Sequence, residues 1–278
     1  MKVLVLGGDT RQIYCAGRLS LESGMRVTTA YMSEEDGGIP KDYGCADIMV
    51  LPYVSSSDGY LNAPACREKI KLSRVLENIN GKTLVFCSGI SDDVLKRIQS
   101  SGAEIYDWLK DEELTLKNAY LTAEGAAQII VSRSNHAVSG SNILILGCGR
   151  VAKACAGLFK SMGAGICVCA RKESDRADCI RKGMDACDFC DCERFSQADI
   201  VVNTVPARVI TPQMLEKIRG RGWILELASK PYGLDPAAAQ SMSVDYVLGS
   251  GLPGKFTPEA AGELMAHTVI KEARKRHG

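Results

Sequence analysis

Short apolar runs alternate with longer amphipathic stretches along the whole chain. The runs with strand character cover 2–6, 26–31, 46–51, 83–87 and 104–106, followed by 142–146, 165–170, 200–203, 223–227 and 246–248. Strands that alternate with helices are typical of parallel sheets covered by helices on both faces. The pattern predicts an α/β fold of two tandem, doubly wound parallel-sheet domains separated by a cleft.

Both halves of the chain open on the same order of strand, glycine turn, helix and helix-ending glycine. The first half contains Gly7-Gly8-Asp9 and the second contains Gly147-Cys148-Gly149. The two turns differ in charge, because Asp9 stands where a bound phosphate would meet a carboxylate. This difference favours a substrate-side role for the first half and a nucleotide-binding role for the second.

Two further helical stretches set the domain boundaries. Apolar residues recur with helical spacing over 121–135, with Thr122 or Asn118 as the expected N-cap. A last helix begins near Thr257, and by analogy with two-domain dehydrogenases it packs back on the first domain. We therefore expect an N-terminal substrate-side domain over 1–120, joined by helix 257–278, and a connector helix with the nucleotide-binding domain over 121–256.

The turn at Gly147 has the chemistry of a pyrophosphate site. Gly147 permits the tight turn, and Gly149 lets the backbone approach the phosphates. The helix that follows offers unpaired N–H groups near Arg150 and Val151, together with a partial positive charge. The second half is therefore expected to be a Rossmann-like domain that binds a dinucleotide.

The residues after the second strand of this domain favour NADP over NAD, although NAD is left open. An acidic residue usually stands there to hold the ribose hydroxyls, and this chain has Arg171 and Lys172 instead. Arg171 can bind a 2′-phosphate with two hydrogen bonds, and Lys172 adds a second cation.

Other loops at predicted strand ends are candidates for ligand contacts, because ligands of open α/β sheets lie beyond the carboxyl ends of the strands. The cofactor candidates in these loops are Thr204, Val205, Pro206, Ala228, Ser229, Leu252 and Pro253. On the substrate side, Ser88 and Ser91 offer hydroxyls that suit carboxylates, with Arg11 and Lys230 as counter-charges.

Composition narrows the function classes. A net charge of +1 gives no electrostatic reason to bind nucleic acid or a membrane surface. No secretory signal and no membrane-length apolar run is visible, so we expect a cytoplasmic protein with twelve reduced cysteines. Cys187, Cys190 and Cys192 resemble part of a metal site but lack a second cysteine pair or a nearby histidine, so we expect no bound metal.

Taken in order along nearly the whole chain, a set of short motifs resembles the family of dipicolinate synthase A subunits. The motifs are Gly7-Gly8-Asp9-Thr10-Arg11-Gln12, Ser88-Gly89-Ile90-Ser91, Thr122-Ala123-Glu124-Gly125, Gly147-Cys148-Gly149-Arg150, Asn203-Thr204-Val205-Pro206, Leu227-Ala228-Ser229-Lys230-Pro231 and Gly251-Leu252-Pro253-Gly254. The combination is far more specific than any single motif.

The resemblance implies a bacterial sporulation protein that acts in the mother cell with a flavoprotein-like B subunit. It implies oxidation of dihydrodipicolinate, a small dicarboxylate, to aromatic pyridine-2,6-dicarboxylate. Arg171 then makes NADP the expected hydride acceptor. Homo-oligomerisation is left open. The resemblance does not identify the proton acceptor. Glu124 is a candidate, because its helix is expected between the domains, although an acid near a helix start is as often a capping partner.

Two alternative functions remain open from the sequence. One is an NAD(P)-dependent dehydrogenase of a small hydroxy or amino acid, although no histidine stands in a recognisable strand-end motif. The other is a non-catalytic subunit that binds NADP to fix its own conformation.

Overall fold

The computed structural model describes residues 1–35, 38–41, 43–134 and 137–277. They form two compact units: unit 1 comprises Met1–Asn118 and the chain from Pro253 onward, and unit 2 comprises Ala119–Leu252. Each unit is built on a parallel sheet. The predicted α/β class with two parallel-sheet domains is therefore confirmed.

Unit 1 contains a five-stranded parallel sheet and a short antiparallel hairpin. Its elements in chain order are β1 (Lys2–Leu6), α1 (Thr10–Ser20), β2 (Arg26–Ala30), β3 (Ile48–Val50), β4 (Ser56–Ser57), β5 (Tyr60–Leu61), α2 (Leu72–Val75), β6 (Leu84–Cys87), α3 (Asp92–Ser100), β7 (Glu104–Asp107) and α4 (Glu112–Arg133), which continues into unit 2. The sheet order is β2-β1-β3-β6-β7. After β2 the chain crosses to the other side of β1, so the switch point of this sheet lies between β1 and β3. The hairpin pairs β4 with β5.

Unit 2 contains a six-stranded parallel sheet. Its elements are β8 (Asn142–Leu146), α5 (Arg150–Ser161), β9 (Gly165–Cys169), α6 (Glu173–Arg181), β10 (Asp185–Cys187), α7 (Arg194–Gln197), β11 (Ile200–Asn203), α8 (Pro212–Ile218), β12 (Trp223–Glu226), α9 (Pro236–Ser241), β13 (Asp245–Leu248) and the start of α10 (Leu252–Phe256). The order β10-β9-β8-β11-β12-β13 reads 3-2-1-4-5-6 within the unit. This is the strand order of dinucleotide-binding sheets, with the switch point between β8 and β11.

The last helix, α11 (Pro258–His277), completes unit 1 by packing on α1. A Cβ atom at Gly262 would lie 2.4 Å from the carbonyl oxygen of Arg11, so the two helices approach closely because this position is glycine. Met265, Ala266 and Val269 of α11 share a buried cluster with Val3 and Val5 of β1. The C-terminal helix thus covers one face of the unit 1 sheet.

The predicted start of the connector helix was wrong. Helix α4 begins at Glu112 rather than near 121, because Asp111 caps it: its Oδ1 atom accepts a hydrogen bond from the Leu114 N–H at 2.9 Å. The hairpin and β10 were also missed, because two or three residues are too short to show a period. Among the described residues, no helix is long and apolar enough to cross a membrane.

Candidate functional site

The turn between β8 and α5 requires glycine at its first position. Gly147 has φ +103°, and a Cβ atom there would lie 2.6 Å from Oγ1 of Thr204 and 3.0 Å from Cγ2 of Val205. The Gly147 N–H donates to the Cys169 carbonyl at 2.9 Å, which joins the turn to the end of β9. The turn therefore lies against the loop after β11, at the switch point of the sheet.

The second glycine of this turn opens onto free space. Gly149 is the N-cap of α5, and a Cβ atom there would meet no described atom within 4 Å. No side chain caps α5, and its first turn carries no acidic residue. The N-terminus of α5 therefore presents backbone N–H groups and a partial positive charge toward this open space, as a bound pyrophosphate requires.

The matching turn in unit 1 is filled. A Cβ atom at Gly7 would lie 2.9 Å from the Asn62 carbonyl oxygen, and one at Gly8 would lie 2.7 Å from Cγ of Gln12. The carboxylate of Asp9 caps α1 by accepting from the Arg11 N–H at 3.1 Å. Since the same topological position is open and free of carboxylate in unit 2 but closed and acidic in unit 1, the geometry favours unit 2 as the dinucleotide site.

The side chain of Arg176 holds the turn after β9 by hydrogen bonds to backbone carbonyls, and the two cationic side chains of the turn, Arg171 and Lys172, are exposed to solvent. The guanidinium of Arg176 donates to the carbonyls of Ala170 at 2.8 Å and Arg171 at 2.9 Å. The side chains of Arg171 and Lys172 are exposed, and neither makes a hydrogen bond or ion pair with any residue that the structure describes. Glu173 begins α6 directly after them.

A buried carboxylate that the sequence reading missed joins the loops after β11 and β12. Glu226 is 0% exposed. Its Oε1 accepts from the Asn203 amide at 2.7 Å and the Ala228 N–H at 3.0 Å, and its Oε2 accepts from the Gly233 N–H at 2.8 Å and the Tyr246 hydroxyl at 3.4 Å. Burial raises the pKa of Glu226, and these hydrogen bonds oppose the shift without cancelling it.

The predicted cofactor contacts lie on these loops in different settings. The Thr204 hydroxyl donates a hydrogen bond to the Leu146 carbonyl at 2.7 Å. Val205 is half-buried, and Pro206 is exposed. Ala228 is buried and Ser229 is exposed. Leu252 and Pro253 are both buried. These contacts remain predictions.

Arg11, predicted as a counter-charge for substrate, is already paired. Its Nε and Nη2 atoms donate to the two carboxylate oxygens of Asp9 at 2.8 and 2.7 Å, and its side chain is only 13% exposed. A Cβ atom at Gly254 would lie 2.4 Å from Oδ2 of Asp9, so the chain before α11 packs directly on this pair. A substrate carboxylate would have to compete with Asp9 for Arg11.

The two predicted substrate hydroxyls differ in availability. Ser88 is buried; its hydroxyl donates to the Tyr53 carbonyl, and its N–H donates to Oγ of Ser55 at 2.9 Å. Ser91 is exposed at the N-cap of α3, where the first turn carries Asp92 and Asp93. Two carboxylates there disfavour a bound anion. Ser88 also borders a cavity of about 520 Å³ at the ends of β6 and β7, which Lys110 lines as well.

Lys230 and Glu124 are exposed, and neither has a side-chain partner among the residues described. Lys230 lies in the loop after β12, next to a cis peptide bond with Pro231. Glu124 lies well inside α4, which begins at Glu112, so the alternative reading of Glu124 as a capping partner was wrong. Its proposed role in proton transfer is untested.

The cysteine segment groups differently from its sequence spacing. The Cys187 sulfur lies 3.7 Å from the sulfur of Cys167 on the neighbouring strand β9, whereas Cys190 is exposed and Cys192 half-buried. In the described part of the chain, no group of three or more histidine, cysteine or acidic side chains could hold a metal ion.

Comparison with known proteins finds similarity to one kind of protein along nearly the whole chain. A family model of the N-terminal domain of the dipicolinate synthase A subunit matches residues 2–109. The A subunit of dipicolinate synthase from Bacillus subtilis is 25% identical, over 98% of this chain and 95% of the relative. The crystal structure of the corresponding A subunit from Bacillus halodurans has a TM-score of 0.85 and 26% identity, over 97% of this chain and 96% of that one. The chain is similar to the A subunits of dipicolinate synthase over nearly its whole length.

A second family model, of a nucleotide-binding domain, matches unit 2. The model for the NAD-binding domain of D-isomer-specific 2-hydroxyacid dehydrogenases matches residues 124–219. The apo-structure of D-lactate dehydrogenase from Escherichia coli shares the fold, with a TM-score of 0.63 and 12% identity over 100% of this chain and 98% of that one. These matches support an NAD(P)-dependent oxidoreductase with a nicotinamide dinucleotide as its cofactor.

Proposed function

We propose that this chain is the oxidoreductase subunit that converts dihydrodipicolinate to dipicolinate with NADP in a sporulating bacterium. It would act in the cytoplasm of the mother cell, together with a flavoprotein-like B subunit. The reaction removes one hydride and one proton from the ring, so dihydrodipicolinate and NADP⁺ give dipicolinate, NADPH and H⁺. The observation that carries the proposal is the open glycine turn of unit 2, which no side chain caps, in a chain similar to a dipicolinate synthase A subunit over 98% of its length.

The residues of unit 2 fit a nicotinamide dinucleotide, which when bound supplies the hydride acceptor. The Gly147–Gly149 turn and the first N–H groups of α5 would hold the pyrophosphate. Arg171 and Lys172 would meet the 2′-phosphate, and the exposed loops after β11 and β12 would border the nicotinamide ribose.

The substrate is a dianion, and Lys230 is the exposed cation of the loop after β12. Lys230 would pair with one ring carboxylate and so fix the ring against the cofactor. Arg11 is a weaker candidate for the second carboxylate, because Asp9 already neutralises it. Glu124 is the proposed proton acceptor.

The direct test is turnover by the purified chain mixed with its B subunit. We expect dihydrodipicolinate and NADP to yield dipicolinate, detected through terbium luminescence, together with NADPH absorbance. A parallel assay with 2-hydroxy acids and no B subunit should show no turnover. Production of NAD(P)H from 2-hydroxy acids alone would instead identify a hydroxy-acid dehydrogenase. No dipicolinate with either dinucleotide and an intact partner would contradict the proposal.

A further inference from the structure

The loop that carries Lys230 is closed at both ends by one carboxylate. The Ala228 N–H donates to Oε1 of Glu226 at 3.0 Å, and the Gly233 N–H donates to Oε2 at 2.8 Å. We call residues 228–233 the 228–233 loop. Glu226 itself ends β12, so a residue of the rigid sheet holds the first and last amides of the exposed loop beside it.

The shape of the 228–233 loop depends on these two contacts. Inside the loop, the Tyr232 N–H donates to the Ser229 carbonyl at 3.0 Å, and Tyr232 has φ +65°, a conformation that a tyrosine adopts only when its surroundings impose it. Lys230 and Ser229 at the centre of the loop are exposed. No described side chain holds the Lys230 ammonium, so its position follows from the loop backbone alone.

The same carboxylate ties the 228–233 loop to two other strands. Asn203 at the end of β11 donates to it, and the Tyr246 hydroxyl of β13 does so from the other side. The Asn203 side chain also binds the N–H and the carbonyl of Val205, both at 3.1 Å. Glu226 therefore links the carboxyl ends of β11 and β12 to Tyr246 inside β13, and it accepts four hydrogen bonds in all.

The packing around the Glu226 carboxylate leaves no space for its hydrogen-bond partners to rearrange. A Cβ atom at Gly233 would lie 2.4 Å from Nδ2 of Asn203 and 3.2 Å from Oε2 of Glu226. A carboxylate can accept all four hydrogen bonds at once, whereas a glutamine amide presents one acceptor and one donor group. A glutamine at this position would leave at least one of the two loop amides facing another donor.

We infer that Glu226 is a positioning residue of the reaction, which holds the 228–233 loop so that Lys230 meets a carboxylate of the dicarboxylate substrate. This inference rests on the proposed function. It assigns a role in substrate binding to a residue that no ligand could touch, since Glu226 is fully buried.

A double-mutant cycle between Glu226 and Lys230 tests this coupling. We expect Glu226→Gln to raise the substrate KM by at least about tenfold, close to the effect of Lys230→Ala, because a misplaced cation loses its charge-assisted contact. In the Lys230→Ala background, Glu226→Gln should have little further effect on KM. If Glu226 had only a general structural role, the increases in KM caused by Glu226→Gln and Lys230→Ala would multiply in the double variant. That result would overturn the inference.

Further variants guard against simple misfolding. Gly233→Ala should reproduce the Glu226→Gln effect, because its methyl group would strike the Asn203 amide. Asp235→Asn is the matched control: Asp235 is exposed, caps α9 and makes no contact with Glu226. None of the four donors to Glu226 belongs to the Gly147–Gly149 turn or to α5, so the pyrophosphate contact should persist in every variant. The Kd of NADP should therefore rise less than the substrate KM, by the part that the loops after β11 and β12 contribute at the nicotinamide ribose.

Hydrogen exchange and product binding separate failure of the inference from failure of the proposed function. The amides of Ala228 and Gly233 should exchange faster in Glu226→Gln than in Asp235→Asn, with or without enzymatic activity. If the chain turns over no substrate, the same cycle is run on the Kd of pyridine-2,6-dicarboxylate by calorimetry. Unchanged amide exchange in Glu226→Gln would refute the positioning role even in an active enzyme. Wild-type protein that neither turns over nor binds a dicarboxylate would instead refute the proposed function, and the inference with it.

Discussion

At the scale of single residues, the choice between NADP and NAD depends on Arg171. Its guanidinium is exposed and makes no contact with the described residues, and Glu173 follows two positions later. We predict that Arg171→Asp weakens NADP binding by about tenfold, because a charge-assisted contact to the 2′-phosphate is replaced by repulsion. The Kd of NAD, which lacks that phosphate, should change far less. Calorimetric titration of both dinucleotides into the same variant provides its own control, and equal losses would exclude a 2′-phosphate contact at Arg171.

Residues also show where sequence reasoning ran out. Ser88 was predicted to bind substrate because serine beside glycine at a strand end suits a carboxylate, but the Tyr53 carbonyl takes its hydroxyl. Glu226 was overlooked because an acidic residue near the end of an apolar run usually indicates that the strand is leaving the core. Its partners Asn203, Gly233 and Tyr246 are too far away in sequence to suggest one cluster. A carboxylate inside the apolar run 223–227 was the only available signal.

At the scale of elements, the sequence carried more information. The repeated strand, glycine turn and helix predicted both sheets, because glycine spacing and apolar periodicity are local properties of the chain. The local pattern does not reveal that Gly149 faces open space whereas Gly7 is filled, because the atom that fills Gly7 is the backbone carbonyl oxygen of Asn62, which is distant in sequence. The charge of Asp9 was the local indication against a phosphate site in unit 1, and in the structure that carboxylate caps α1; the assignment itself stays a prediction.

The two glycines of the unit 2 turn should fail in different ways. Gly147→Ala places a methyl group 2.6 Å from Thr204 at φ +103°, so we predict a loss of about 1–3 kcal/mol in the free energy of unfolding. Gly149→Ala has φ −78° and open space, so it should cost less than about 1 kcal/mol. Its methyl group would instead occupy the volume needed by the pyrophosphate and abolish measurable NADP binding. Urea denaturation and calorimetry distinguish the two effects, and normal NADP affinity in Gly149→Ala would contradict the assignment of the turn.

At the scale of the whole molecule, the two units contain carboxylates whose pKa values are displaced in opposite directions. In unit 1, burial disfavours ionisation of Asp9, but the hydrogen bonds and charge of Arg11 outweigh it and lower the pKa of Asp9 below 3.8. In unit 2, burial raises the pKa of Glu226 above 4.5. Asp9 therefore stabilises its unit above pH 3.8, and this contribution is lost as the pH falls through the lower folded value. Glu226 contributes stability below pH 4.5, which is lost as the pH rises through the raised folded value.

The chain offers one tryptophan in each unit with which to measure this contrast, Trp108 in unit 1 and Trp223 in unit 2. In a Trp223→Phe background, fluorescence reports the unfolding of unit 1. There, the loss in the free energy of unfolding caused by Asp9→Asn, which we call its deficit, should shrink as the pH is lowered toward 3.8 and below. In a Trp108→Phe background, fluorescence reports unit 2, and the deficit caused by Glu226→Gln should shrink as the pH rises, because the ionised glutamate is the form that burial disfavours. Each deficit is the difference in the free energy of unfolding from the same background at the same pH. If both deficits change with pH in the same direction, the pKa of at least one of the two carboxylates is not displaced in the direction that its surroundings require.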